Sequence, residues 1–164
     1  MTKPNFKMKI STTFLSTALS LFVNCAFAAE ASKPAPPPLS KQEQSVYTLY
    51  LKIQTGLAAD SIKDLKTNAT QIAGAIRTTA KGFSADVAKQ AETLAAAADL
   101  KAARTALKEL SSSMIKFLGD HKVAKGTYYE VFCPMVEASW LQSGKAIKNP
   151  YMGKAMLDCG VVKE

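Results

Sequence analysis

The sequence predicts an all-α fold, a four-helix up-down bundle with an irregular C-terminal cap that contains a short extended segment and a short helix. Two observations lead to this prediction. Between residues 40 and 120, apolar side chains recur every three or four residues, which places them on one face of a helix. After Gly126 this period stops, and β-branched, aromatic and sulfur-containing residues take over. The predicted domain spans residues 40–164, with its cap over residues 126–164.

Each predicted helix begins at a residue whose side chain can cap it. Ser40 precedes the first helix, and Glu43, three residues later, completes a capping box. Asp60 is expected to cap the second helix, Ser84 a short third helix and Asp99 a fourth. The apolar stripes are Val46, Leu49, Ile53 and Leu57, then Ile62, Leu65, Ala69, Ile72 and Ile76, then Val87, Ala91 and Leu94, and finally Leu100, Ala103, Leu107, Leu110, Met114 and Leu118.

The cap combines extended and helical patterns. Residues 127–132 are β-branched and aromatic and predict an extended segment. Pro134 then prevents a helix from continuing through this region. A turn signal at residues 149–150 precedes a stretch, residues 152–157, that is expected to form one or two helical turns.

The N-terminus is typical of a signal peptide over residues 1–28. Three lysines precede an apolar run over residues 10–23, and residues 26–28 form an A-x-A cleavage site. The run is shorter than the ~20 apolar residues that a membrane-spanning helix needs, which disfavours a permanent anchor. Cys25 follows an asparagine, which does not fit the small residue of a lipidation site. We expect cleavage near the end of this segment, a Pro-rich linker over residues 29–39, and a periplasmic or secreted product.

The charge of the chain excludes some partners. The predicted signal peptide carries three lysines and no acid, so its removal lowers the net charge from +8 to +5. The remaining lysines recur singly, as on solvated helix faces, whereas nucleic-acid binding requires a clustered basic surface. We therefore expect no nucleic-acid partner, and membrane contact only through export.

Sulfur-containing residues are concentrated in the cap. Cys133 and Met135 point to the same side of an extended strand, and Met156 and Cys159 share a face of a helix. Thiolates and thioethers are soft ligands that suit Cu(I) or Ag(I), and they would bind magnesium or calcium poorly. These four residues are the predicted metal ligands.

Two other residues are weaker candidates for the metal site. Met152 joins the same helical face as Met156 if residues 152–158 are helical. His121 is the only histidine, and it lies 12 residues before Cys133. Zinc normally requires a closed cysteine and histidine set at short spacing, such as C-x2-C, and the sequence has none.

A structural disulfide between Cys133 and Cys159 is the alternative. Exported thiols meet an oxidising compartment, and a bridge that encloses about 25 residues adds about 3 kcal/mol of stability. The domain would then be a disulfide-stapled helical protein-interaction module without metal, with Trp140 and Tyr151 as anchors. Taken singly, methionines more often fill gaps in a core, so only the joint occurrence of these residues favours a metal.

The C-terminal residues resemble the signature of a bacterial domain family of unknown function. That family occurs as stand-alone secreted proteins and as an extra domain on adaptor subunits of copper/silver efflux pumps of the CusB type. The residues that carry the resemblance are Phe132, Cys133, Pro134, Met135, Trp140, Leu141, Gln142, Asn149, Pro150, Tyr151, Gly153, Met156, Leu157, Cys159 and Gly160. It implies a periplasmic helical domain associated with copper handling, with a heavy-metal efflux adaptor or another periplasmic copper protein as partner.

The resemblance also assigns residues to roles. The sulfur positions it implies are Cys133, Met135, Met156 and Cys159, and the structural frame is Trp140, Asn149, Pro150, Tyr151 and Gly153. Met152 departs from the pattern, since relatives often have an aromatic residue there. In the helical half the resemblance is looser and rests on Asp60 and on the run from Ala103 to Ser111.

Enzymatic function is not expected. A serine-histidine-aspartate triad would have to use His121, and the chain has no G-x-S-x-G elbow. It also lacks C-x-x-C redox and C-x-x-C-H haem-attachment motifs. The sequence instead predicts a soft-metal binding protein that sequesters Cu(I) or Ag(I) or hands the ion to an efflux system.

Overall fold

The computed structural model describes residues 39–163 except Lys81, Ala124 and Lys125. The predicted signal peptide and nearly all of the predicted linker lie outside the described residues. The helices are α1 (Lys41–Ala58), α2 (Leu65–Thr78), α3 (Ala85–Ala95) and α4 (Leu100–Asp120). Within the described part of the chain, no helix is both long enough and apolar enough to cross a membrane.

Two of the predicted caps form as expected. Ser40 accepts a hydrogen bond from the Glu43 amide, and the Glu43 carboxylate accepts one from the Ser40 amide at 2.8 Å, which completes the capping box of α1. The Asp99 carboxylate accepts the Ala102 amide at 2.8 Å and caps α4.

The prediction that Asp60 caps α2 is wrong. The helix begins only at Leu65, with Asp64 at the N-cap position. Asp60 and Asp64 have positive φ values of 57° and 62°, so the chain turns through the left-handed region before α2 starts. Ile62 lies in this turn and is 38% exposed, outside the core stripe to which its spacing had assigned it.

The C-terminal residues form a sheet, so the all-α prediction is wrong and the fold is mixed α/β. The strands β1 (Tyr129–Cys133), β2 (Ala138–Gln142) and β3 (Val161–Val162) pair antiparallel in the order β2-β1-β3. A turn over residues 134–137 joins β1 to β2, and a short 3-10 helix (Gly153–Met156) precedes β3. Only β1 corresponds to the predicted extended segment.

The strands β2 and β3 have no residue pattern that would predict them from the sequence. In β2, Ala138, Trp140, Leu141 and Gln142 are all buried, so the strand lacks the alternation that marks a half-buried strand. β3 has two residues and exists through its pairing with β1, where Phe132 faces Val161.

The sheet completes the core of the helical bundle. The helices α1 and α4 contact each other only weakly, and β2 packs against both of them. Trp140 and Leu141 are completely buried there and form one cluster with Tyr50 and Leu107 from the helices. The sheet is therefore a structural part of the bundle.

Candidate sulfur site

Cys133 and Cys159, hereafter the sulfur pair, meet at the end of the sheet. Cys133 is the last residue of β1, and Cys159 lies just before β3. Because β3 runs back along β1, the two sulfur atoms lie 3.0 Å apart. Both cysteines are free thiols, since a disulfide bond would be about 2.05 Å long. The structure thus brings together the two cysteines that the sequence analysis had singled out.

Cys133 has a polar environment despite its complete burial. Its sulfur accepts hydrogen bonds from the backbone amides of Met135 and Val136, in the turn after β1, and from the side chain of Asn149. Burial raises the pKa of the Cys133 thiol, but these bonds and the one from Cys159 together hold that pKa below its ordinary 9.0. The site favours a negative charge on this sulfur.

Cys159 has the opposite character. It is half-buried and lies in the irregular segment between the 3-10 helix and β3. Its hydrogen bond with Cys133 raises its pKa, and burial and the nearby charge of Asp158 act in the same direction. The pair therefore combines a buried sulfur whose pKa is lowered with a more accessible sulfur whose pKa is raised.

The structure places the candidate methionines differently from one another. Met135 is 65% exposed and Met156 is 39% exposed, although methionine is usually a core residue. The predicted helical turns are a 3-10 helix that ends at Met156, so Cys159 lies beyond it and the two residues do not share a helical face. They are joined instead by a backbone hydrogen bond from the Cys159 amide to the Met156 carbonyl at 3.2 Å. Met152 instead packs against the hydrophobic core.

His121 lies elsewhere in the bundle. It occupies the C-cap of α4, where its ring packs on Phe117 at a centroid distance of 4.0 Å. Phe117 in turn stacks on Phe83. Among the residues that the structure describes, no group of three or more histidine, cysteine, aspartate or glutamate side chains is arranged to hold a metal ion. A metal at the sulfur pair would therefore have the two cysteines as its only ligands of these four types from the described residues.

Asn149 fixes the loop that carries Cys159. This side chain is completely buried, and its amide donates a hydrogen bond to the Cys159 carbonyl at 2.7 Å. Its side-chain oxygen accepts the backbone amides of Tyr151 at 2.8 Å and Met152 at 3.0 Å. Since the same amide group also reaches the Cys133 sulfur, one residue holds both halves of the pair.

Tyr151 joins this loop to the bundle. Its hydroxyl donates to the Ser139 carbonyl at 2.8 Å and lies 3.1 Å from the Ser111 hydroxyl on α4. The Tyr50 hydroxyl, from α1, reaches the same Ser111 oxygen at 2.7 Å. Burial raises the pKa of Tyr50 to about 12, so it is a neutral hydrogen-bonding group. Trp140 packs edge-on against the Tyr151 ring.

An ion pair between Asp60 and Arg104 lies beside this loop. Arg104 contacts the Asp60 carboxylate at 2.5 Å and donates to the Pro150 carbonyl at 2.9 Å. Gly153 has a φ of 59°, and a Cβ atom there would overlap the Asp60 and Arg104 side chains. The only sequence signal for this contact was that Asp60 and Arg104 both occur in the looser part of the resemblance.

Comparison with known proteins finds a similarity to a family only over the helical part. A family model described as "Protein of unknown function (DUF3347)" matches residues 46–126. The match covers most of α1, all of α2 to α4, and ends before β1, so it contains neither residue of the sulfur pair and gives no link to efflux adaptors. No curated protein and no solved structure matches the chain. The helical part of this chain is thus similar to a domain family whose function is unknown.

Proposed function

We propose that this domain binds a soft monovalent metal ion, Cu(I) or Ag(I), through Cys133 and Cys159, with Met135 and Met156 as additional ligands. The observation that supports this proposal is the approach of two free thiols to 3.0 Å. Two exposed methionines lie two and three residues from these cysteines in the sequence. Sulfur is the ligand type that these ions prefer. Met135 and Met156 are not among the residues of the hydrophobic core, where methionine commonly fills gaps.

The pair must open slightly to admit an ion. Metal–thiolate bonds of about 2.3 Å imply two sulfur atoms roughly 4 Å apart. The required movement is about 1 Å, and it falls most easily on Cys159, because β3 is a two-residue strand at the edge of the sheet. The N–H donors around Cys133 would stabilise the bound thiolate.

The proposed role is sequestration of the ion or its handover to another protein. The N-terminal sequence is typical of an exported protein, so we place this role in the periplasm or outside the cell. The proposed partner is a heavy-metal efflux adaptor or another periplasmic copper protein. No chemical conversion of a substrate is proposed.

Substitution of Cys133 tests the proposal. Cys133→Ser removes the buried sulfur ligand, so tight Cu(I) binding should be lost, while the helical signal in far-UV circular dichroism stays nearly unchanged. Competition with a chromogenic Cu(I) chelator measures the affinity. The matched control is Ala138→Ser, which adds a hydroxyl at the residue that pairs with Cys133 in the sheet and leaves both sulfurs in place. Full Cu(I) affinity in Cys133→Ser would refute the assignment.

A disulfide is the second candidate, because the same 3.0 Å approach allows bond formation after a small movement. The disulfide would fix the segment around Cys159 to β1. The domain would then be a protein-interaction module that binds no metal. Protein isolated from the periplasm without reductant distinguishes the two. A mass lower by two hydrogens with no free thiol supports the bridge, whereas bound copper with both thiols free after its removal supports the metal site.

A further inference from the structure

We infer, on the basis of the proposed metal site, that the two cysteines have unequal roles in metal transfer: Cys133 is the fixed ligand, and Cys159 is the ligand that an incoming thiol of an acceptor protein displaces first.

Cys133 is held from several directions. It ends a central strand that pairs with β2 on one side and β3 on the other, and it is completely buried. The backbone amides of Met135 and Val136 point at its sulfur. The turn that supplies them is itself fixed to α4, because the Lys108 ammonium group donates to the Val136 carbonyl at 2.8 Å. An acceptor therefore has no direct access to this sulfur.

Cys159 is held far less firmly. Cys159 is partly exposed and belongs to neither the 3-10 helix nor β3. Its backbone bonds are a 3.2 Å contact from its amide to the Met156 carbonyl and the bond that its carbonyl accepts from Asn149. Val161, two residues later, is 63% exposed in the edge strand. This side of the pair is the one that an acceptor can reach.

The exchange conserves charge and oxidation state. The sulfur of an acceptor thiol bonds to the ion, the bond from the ion to the Cys159 sulfur breaks, and the proton of the acceptor thiol passes to the Cys159 sulfur. A second acceptor thiol then displaces Cys133 in the same way. Met156, whose carbonyl accepts the Cys159 amide at 3.2 Å, is the candidate for a neutral ligand that holds the ion between the two steps.

Pulsed alkylation during transfer tests the inference. The full chain is loaded with Cu(I), mixed with a limiting amount of glutathione as the acceptor thiol, and labelled with N-ethylmaleimide at successive times. Peptide mass spectrometry then reports the labelled cysteine. Labelling of Cys159 should precede that of Cys133 by a factor on the order of ten, because only a freed and accessible thiol reacts. The reduced metal-free protein supplies the intrinsic labelling rate of each cysteine.

The outcomes separate this inference from the proposed function. If a chelator competition shows that the wild-type protein binds no Cu(I), the proposed function fails. If it binds Cu(I) but, after correction for the metal-free rates, Cys133 is labelled first or both cysteines together, the metal site stands and the unequal roles are refuted. Early labelling of Cys159 alone supports both.

Discussion

At the scale of single residues, Asn149 has the largest expected effect on the site. Asn149→Asp keeps the side-chain oxygen that accepts from Tyr151 and Met152, and it replaces the donor that reaches both cysteines by a carboxylate oxygen. The second carboxylate oxygen would face the Cys159 carbonyl, which cannot donate a hydrogen bond to it. We therefore expect a loss of about 1–3 kcal/mol in the free energy of unfolding and weaker Cu(I) binding.

Urea denaturation and chelator competition measure these two effects of Asn149→Asp. The control is Asn68→Asp, a partly exposed residue of α2. Equal behaviour of the two variants would show that the Asn149 amide donor is dispensable.

Gly153 is constrained by both conformation and space. Gly153→Ala puts a Cβ atom on a residue with a φ of 59°, which costs about 1–2 kcal/mol, and also pushes against the Asp60–Arg104 ion pair. Gly74 lies inside α2 with open space around its Cβ position, so Gly74→Ala should stabilise the protein by about 0.8–1 kcal/mol. Urea midpoints of the two variants should move in opposite directions, and a stable Gly153→Ala protein would contradict the geometry.

At the scale of the elements, the sequence was informative about helices and poorly informative about strands. The helical stripes and the caps at Ser40 and Asp99 follow from local spacing and short-range hydrogen bonds, so they were predictable. The start of α2 was misplaced because two left-handed aspartates form a turn that no common motif marks. β3 depends on a partner about 30 residues away, and no local pattern contains that information.

The Asp60–Arg104 ion pair links the α1–α2 turn to α4 and, through Pro150 and Lys154, to the loop of the site. Hydrogen bonds from the Arg104 side chain and from the Lys154 amide hold the pKa of Asp60 below its ordinary 3.8. A carboxyl group whose pKa is lower in the folded state stabilises that state above its ordinary pKa, and this stabilisation is lost as the pH falls below about 3.8.

The resulting prediction concerns acid stability. Asp60→Asn should be less stable than the wild type at pH 7, and the difference should shrink as the pH falls through and below 3.8. Urea denaturation at several pH values measures it. Asp86→Asn is the control, because Asp86 forms a highly exposed pair with Lys89 that contributes little. A stability difference that does not change with pH would argue against a role for the Asp60 charge.

At the scale of the whole molecule, helices and sheet share one hydrophobic core, so we expect them to unfold together. Trp140 is the only tryptophan of the chain and is completely buried in β2, so its fluorescence reports on the sheet, while far-UV circular dichroism reports mainly on the helices. The two signals should give the same urea midpoint. A lower midpoint for fluorescence would show that the sheet detaches before the bundle unfolds.

The sequence predicts which residues make up the candidate sulfur site, but it does not predict how they are arranged in space. Residue type alone marks the cysteines and methionines as candidates for soft ligands. The approach of the two cysteines depends on the pairing of β1 with β3 and on the buried bonds of Asn149, which involve residues far apart in the chain. The exposure of Met135 had no sequence signal, because an isolated methionine reads as a core residue.

The exposure of Met135 makes its thioether accessible to oxidants. Peroxide converts an accessible thioether into a sulfoxide, whose oxygen is a hard donor. A chain damaged in this way would keep its fold, since Met135 is exposed and lies outside the core. At the proposed metal site, the sulfoxide would favour soft ions less than the thioether does. Repair by methionine sulfoxide reductases would then restore the original selectivity without new protein synthesis.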